Sequence, residues 1–251
     1  MLSPHLEEQQ QRRTLISIGH LIHRSLSFSI AWPCFIILVA YVACAIQGRL
    51  VWPKWYPSEV FDRSTGHIIS SAGIPLTGIT LSVFVLCRHY MINVGCSDRK
   101  VQRLNYASLC VMAVGIISMT GVSTVNYSLS PIIHYLFAGI FFLAFAIDTA
   151  LHMLMMRTME YHDYRNLRGE SNKTSRYVVG AVVLITASVS LVGTALQSYE
   201  TMSIGECSFL LFVFIFWWQD FQLLSRFNIS ICIAIKDTSD MVGASPRKHL
   251  V

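Results

Sequence analysis

Six long apolar runs limit what this chain can become: Ser25 to Ile46, Ile68 to Met91, Leu104 to Val125, Ile132 to Met155, Tyr177 to Leu196 and Ile204 to Leu224. Each is near the roughly 20 residues that an α-helix needs to cross about 30 Å of hydrocarbon. A backbone in lipid must satisfy its own hydrogen bonds, and the alternating segments of a barrel are absent, so the runs predict helices. Composition agrees. Of 251 residues 53% are hydrophobic and 13% charged, and the mean hydropathy is +0.52, whereas soluble domains are about a quarter charged. The predicted fold class is all-α, a polytopic integral membrane bundle of six transmembrane helices.

Basic residues fall on alternate connections. Arg12, Arg13 and Arg24 precede the first run; Arg88, Arg99, Lys100 and Arg103 lie around the second connection, and Arg157, Arg165, Arg168, Lys173 and Arg176 around the fourth. The other side holds only Arg49, Lys54 and Arg63. The positive-inside rule then predicts both termini in the cytosol. The expected organisation is a cytosolic segment 1–24, a transmembrane domain 25–224 and a cytosolic tail 225–251. Within the domain, 47–67 is a lumenal loop, and 92–103 and 156–176 are cytosolic loops. The 47–67 loop is long enough for a lid but not for a domain, and its Trp52, Trp55 and Tyr56 read as interfacial anchors. A net charge of +5 is what the charge rule and anionic inner-leaflet lipid require, so no nucleic-acid partner is expected.

The first run does not read as a cleavable signal peptide, because Glu7, Glu8 and a Gln run precede it and no small-residue cleavage site follows. Seven cysteines lie within spans or on the cytosolic side, where a structural disulfide is not expected. Cys87 and Cys96 flank a cytosolic helix end, where S-palmitoylation is one reading and free thiols the other. The sequons at Asn172 and Asn228 fall on the cytosolic side, and that at Asn126 lies at the membrane surface. The run Phe227 to Ile235 is too short to span. Neither a two-halves repeat nor a matched pair of broken helices points to a transporter.

Ionisable side chains in hydrocarbon cost at least about 2.5–3.5 kcal/mol each, so each needs a partner, a cavity or a task. They form two expected layers. Asp148 and His152 are four residues apart, hence on one helix face, and Asp220 should lie at similar depth near the cytosolic leaflet. That layer reads either as a proton-handling or lipid-headgroup cluster, or as interhelical glue in which the acids meet Arg88, Arg157 or a helix-end amide. The second layer is lumenal: His67, His134 and Glu206 begin three different helices. For acyl transfer a histidine would act as general base toward a lipid hydroxyl and a carboxylate would orient it; otherwise each is an interfacial residue facing water. No Gly-x-Ser-x-Gly, His-Glu-x-x-His, Cys-x-x-Cys or Walker motif is present, and Ser70, Ser71, Ser128 and Ser130 fit helix ends. No metal or bound cofactor is expected.

Several short motifs go further. Arg88-His89-Tyr90-Met91 ends the second run and Arg103-Leu104-Asn105-Tyr106 opens the third. Ile133-His134-Tyr135 opens the fourth and Leu151-His152-Met153-Leu154 ends it; Glu206 and Trp217-Trp218-Gln219-Asp220-Phe221 mark the sixth. From about Ile68 to Phe221 the chain resembles the post-GPI-attachment factor 2 family, part of a larger group that includes DRAM-type autophagy modulators and Sfk-type membrane proteins. That resemblance implies GPI-anchor lipid remodelling, in which a lyso-GPI receives a saturated fatty acid in the Golgi apparatus or endoplasmic reticulum. The chain would be the acyltransferase or an essential component of one. Its donor would be a lipid or acyl-CoA, and its partners membrane lipids and GPI-anchored proteins. His134 would be the base, with Glu206 and His67 positioning it or the headgroup. The alternative within the group is a non-enzymatic regulator of autophagy or plasma-membrane lipid organisation at the lysosome or plasma membrane, which would act through the cytosolic layer and the Arg157 to Arg176 loop.

Overall fold

A computed structural model describes residues 27–54, 56–62, 64–125, 127–128, 130–159 and 173–224. These form seven helices: α1 (Ser27–Ile46), α2 (Pro57–Asp62), α3 (Ser64–Gly95), α4 (Arg99–Thr124), α5 (Pro131–Thr158), α6 (Lys173–Ala195) and α7 (Tyr199–Leu224). All but α2 are long and apolar enough to span, so the fold is a six-span helical membrane bundle. The segment 1–24, the tail 225–251 with its Phe227 to Ile235 run, Trp55, Arg63, Asn126 and Asn172 lie outside the described residues.

The helices outrun the apolar segments that announce them. Helix α3 reaches from Ser64 to Gly95 and α4 begins at Arg99, because hydropathy reads only hydrocarbon depth while the hydrogen-bonded ladder continues into the interface. Local chemistry sets the ends. The Asp98 carboxylate accepts from the Lys100 amide at 2.7 Å and caps α4, and Pro131 opens α5, where a missing N–H costs nothing. Helix α1 stops at Gly48, whose φ of 65° lets the amides of Gly48 and Arg49 turn back to the carbonyls of Ala45 and Cys44.

Small residues bring the helices together, as expected where lipid supplies no hydrophobic drive between them. Ile36 of α1 packs onto Gly73 of α3, the Trp32 indole donates to the Gly73 carbonyl at 3.2 Å, and Ser29 donates to the Thr80 carbonyl at 2.8 Å. Gly115 of α4 faces Phe145 of α5. Between α6 and α7 the contact is backbone to backbone: a Cβ on Gly205 would stand 2.7 Å from the Ser190 amide nitrogen. Large apolar side chains such as Leu38, Ile79, Ile117, Ile185 and Leu211 face outward, as lipid-facing surface requires.

The 47–67 loop folds back into the bundle as a lid. Within it α2 buries Pro57, Val60 and Phe61, Tyr56 just before it is buried too, and Val60 lies so close to Gly66 of α3 that a Cβ there would collide with its carbonyl oxygen. Four further ties hold the lid. Gln47 donates to Thr65 at 2.7 Å, Ser128 donates to Asp62 at 2.7 Å, Ser203 donates to the Pro53 carbonyl, and the Lys54 ammonium sits 4.5 Å above the Tyr199 ring. This corrects the expected interfacial role of Tyr56, which stacks on Tyr199 with ring centroids 6.3 Å apart; Trp52 is the exposed ring. Cys96 is buried at 2% exposure, which removes it as an acylation acceptor, while Cys87 is half-buried.

Gly205→Ala is expected to lower the melting temperature of the purified protein through overpacking worth about 1–3 kcal/mol. Gly139→Ala, whose added carbon meets nothing within 4 Å, should leave it unchanged or raise it. Scanning fluorimetry in detergent reads both, and equal effects would count against the close α6–α7 approach.

Candidate functional site

The two polar layers expected from the sequence are built very differently. The Asp148, His152 and Asp220 layer is a buried ion network. Arg88 donates to Asp148 at 2.9 Å and lies 3.5 Å from Asp220, while Arg176 lies 2.6 Å from the other Asp220 oxygen. Ser108 donates to Asp148 at 2.5 Å, and its oxygen lies 3.2 Å from the His152 Nε2, which therefore carries a proton toward it. The Arg176 guanidinium rests 4.3 Å above the Phe216 ring. Arg88, Asp148, His152, Arg176 and Asp220 are all 2% exposed or less. Among the described residues, Arg88 and Arg176 face Asp148 and Asp220, and this layer ties α3, α4, α5, α6 and α7 together.

Beside it, the two motifs flanking the α3–α4 turn interlock. The Asn105 amide donates to the His89 carbonyl and to Asn93, each at 2.9 Å. Asn93 donates to the His89 Nε2 at 2.9 Å, which leaves Nδ1 as donor toward the Asn105 carbonyl at 3.3 Å.

The other layer forms a small polar mouth under the lid. His134 and Glu206 line it together with Tyr56, Ser58, Glu59, Asp62, Tyr127 and Tyr135. His134 is 3% exposed and its Nδ1 lies 2.9 Å from the Val125 carbonyl. A carbonyl only accepts, so Nδ1 bears the proton and Nε2 is left as the basic nitrogen. Tyr127 packs edge-on against the ring at 5.8 Å. The orienting group is thus a backbone carbonyl at the end of α4, not the expected carboxylate. Glu206 instead holds the lid: its Oε2 accepts from the Ser58 hydroxyl at 2.8 Å and the Ser58 amide at 3.1 Å. Glu206 is 4% exposed, and no hydrogen bond engages its Oε1 among the described residues. Burial and the Glu59 charge push the Tyr56 phenol above its ordinary value, so it stays a neutral hydroxyl.

Below the mouth lies an apolar cavity that runs from Glu206 down to Phe145 and Trp217. Five spanning helices and the lid contribute to its wall, and α6 does not. Ser58, Ala138 and Glu206 line both spaces, so mouth and cavity adjoin. The hydroxyls in the wall are spent locally: Thr77 donates to the Gly73 carbonyl at 3.0 Å and Ser123 to the Thr120 carbonyl at 2.9 Å. The cavity therefore offers hydrocarbon surface, closed at depth by Phe145 and Trp217 with ring centroids 5.1 Å apart.

Of the expected residues, the structure brings His134 and Glu206 to one mouth; His67, half-buried near the start of α3, is not among its lining residues. Asp148, His152 and Asp220 meet one another, with Arg88 as one of the expected partners, whereas Arg157 is exposed. Sequence reasoning missed Ser58, Ser108 and Arg176. Arg176 reads in the sequence as a loop charge, and its place as the fourth residue of α6, seven residues before the apolar Val183, is the available signal. No cluster of three His, Cys, Asp or Glu side chains among the described residues could hold a metal ion.

The sequence model described as the Frag1/DRAM/Sfk1/Cwh43P N-terminal domain matches residues 25–224. No curated protein and no solved structure matches the chain.

Arg88→Met removes the guanidinium from the buried Asp148, a loss of about 3–5 kcal/mol by the precedent of broken buried pairs. The expected outcome is a steep fall in folded protein by fluorescence-detected size exclusion, with Glu206→Gln retained at near wild-type level. A well-folded Arg88→Met protein would remove the structural role given to the network.

Proposed function

The chain belongs to the Frag1/DRAM/Sfk1/Cwh43P N-terminal domain family, and on that premise we propose that it remodels GPI-anchor lipid, returning a saturated acyl chain to a lyso-GPI in the lumenal leaflet of the secretory pathway. One observation carries the reading: a basic imidazole and a buried carboxylate at a polar mouth that opens directly on a cavity of hydrocarbon character. A lipid fits that arrangement with its headgroup at the mouth and a chain below. Both lipid substrates reach it within the membrane, so few soluble loops are needed.

The chemistry is a transesterification. His134 Nε2 takes the proton of the lyso-lipid hydroxyl as its oxygen attacks the carbonyl carbon of an acyl ester or thioester donor. The bond from that carbon to the leaving oxygen or sulfur then breaks, and the leaving group receives the proton from His134. The Val125 carbonyl fixes the tautomer throughout, and general-base help of this kind contributes about 10²–10⁴-fold. Glu206 can accept from an incoming hydroxyl through Oε1 while Oε2 keeps the lid closed by Ser58.

A non-enzymatic lipid-binding regulator of the DRAM or Sfk type would use the same cavity without needing a base. The two readings separate in cells lacking this chain and re-expressing variants. His134→Ala and Glu206→Gln should reach normal protein levels yet leave GPI anchors lacking the saturated chain, by mass spectrometry of anchor lipids. Normal anchors in the null cells would overturn the proposal, and full rescue by His134→Ala would select the regulator.

A further inference from the structure

The polar mouth and the aromatic floor of the cavity are set at one spacing on two helices. His134 and Phe145 are eleven residues apart on α5, and Glu206 and Trp217 are eleven residues apart on α7. At about 1.5 Å per residue, both pairs span roughly 16 Å along their helix axes. The floor is firm: Phe145 and Trp217 are 3% and 4% exposed, pack against each other, and Phe214 closes edge-on against Trp217 at 5.9 Å. Three residues deeper on the same helices stand Asp148 and Asp220, fixed in the ion network, so the floor cannot sink toward the opposite membrane face without burying a chain against charge.

From this geometry we infer that Phe145 and Trp217 set the length of the acyl chain the protein accepts, the cavity acting as a ruler measured from the His134 and Glu206 mouth. The inference rests on the reading of the cavity as a lipid-chain site. An extended hydrocarbon zigzag of bonds of about 1.5 Å advances about 1.25 Å per carbon, so the depth holds about thirteen carbons below the mouth. A longer chain must bend within the cavity or leave carbons in the mouth. The walls do not compete for this role, because their hydroxyls bond within their own helices and present no preferred depth to a methyl end.

Two substitutions move the floor in opposite directions. Trp217→Ala removes the indole and deepens the cavity toward Asp220 by up to about 4–5 Å, which corresponds to three or four carbons. Val213 lines the cavity one turn above Trp217 and is 3% exposed; Val213→Phe raises the floor by about 6 Å, or four to five carbons. Because Trp217→Ala could cost too much packing to fold, Trp217→Leu and Phe145→Leu serve as gentler forms of the same change.

The test uses full-length protein in detergent, offered an equimolar series of saturated lysophosphatidylcholines graded in chain length, with retained species read by native mass spectrometry. The expected result is one preferred length for the wild type, longer by about three carbons in the deepened forms and shorter by about four in Val213→Phe. A flat profile, or one that none of these variants moves, overturns the ruler. Retained lipid is read without turnover, so loss of remodelling in cells and loss of the ruler in vitro fail separately.

Discussion

Everything else in this bundle is hung on the buried pairing of Arg88 and Arg176 with Asp148 and Asp220. Four charges in a hydrocarbon slab are tolerable only together, since each alone would have to be neutralised or drawn to the surface. Their geometry is correspondingly fixed. Asp148 takes both an arginine and the Ser108 hydroxyl, and Asp220 stands between two guanidinium groups. Five helices meet at this layer, which sets their rotation about their own axes. Helix rotation in turn decides which side chains face inward a few turns away: Phe145 and Trp217 directly above the charges, then His134 and Glu206 beyond. A cavity with a polar mouth and an aromatic floor is thus a consequence of where the ionic layer holds α5 and α7.

The second fixed point is the lid. A carboxylate eight positions into a spanning helix would be costly if it met only lipid, and Ser58 meets it with two hydrogen bonds, one of them from the backbone. The dependence runs both ways. The first-turn amide of α2 has no intrahelical acceptor, so Glu206 supplies what a six-residue helix lacks, and Ser58 supplies what a buried anion lacks. Asp62 at the far end of α2 is tied to Ser128, so both ends of α2 are held, one by α7 and the other by the α4–α5 connection.

Much of the fold was legible because apolar length and alternating loop charge act at the scale of whole segments. All six spans fall where hydropathy put them, with ends displaced by the interfacial turns that hydropathy does not register. The site was legible in part. His134 and Glu206 could be found because ionisable groups inside apolar runs are rare enough to need a reason. Ser58 could not: a hydroxyl in a loop carries no signal of where the loop folds, and its carboxylate partner is 148 residues away. Arg176 misled in a different way. Near a span end, an arginine that neutralises a buried acid and an arginine that faces anionic lipid have the same sequence signature, and only the helix face separates them. The short motifs that carry the family resemblance mostly converge on this ionic layer and on the interlocked His89, Asn93 and Asn105, which explains why they identify the fold more firmly than the chemistry.

The two polar layers differ in what they leave open to a ligand. The ionic layer is occupied by its own pairs: its acids face guanidinium groups, its histidine is closed off from both cavity and solvent, and a substrate would have to break what holds the bundle together. The mouth is the reverse. His134 keeps a basic nitrogen because its other nitrogen is satisfied by a backbone carbonyl that cannot titrate, and among the described residues Glu206 keeps one oxygen uncommitted beside a neutral Tyr56. A hydroxyl arriving there gains an acceptor without displacing a structural bond, while its chain leaves lipid for a cavity of similar polarity. Binding therefore turns on fit at the two ends, the polar contacts at the mouth and the aromatic stop at the floor, more than on any gain from burying the chain itself.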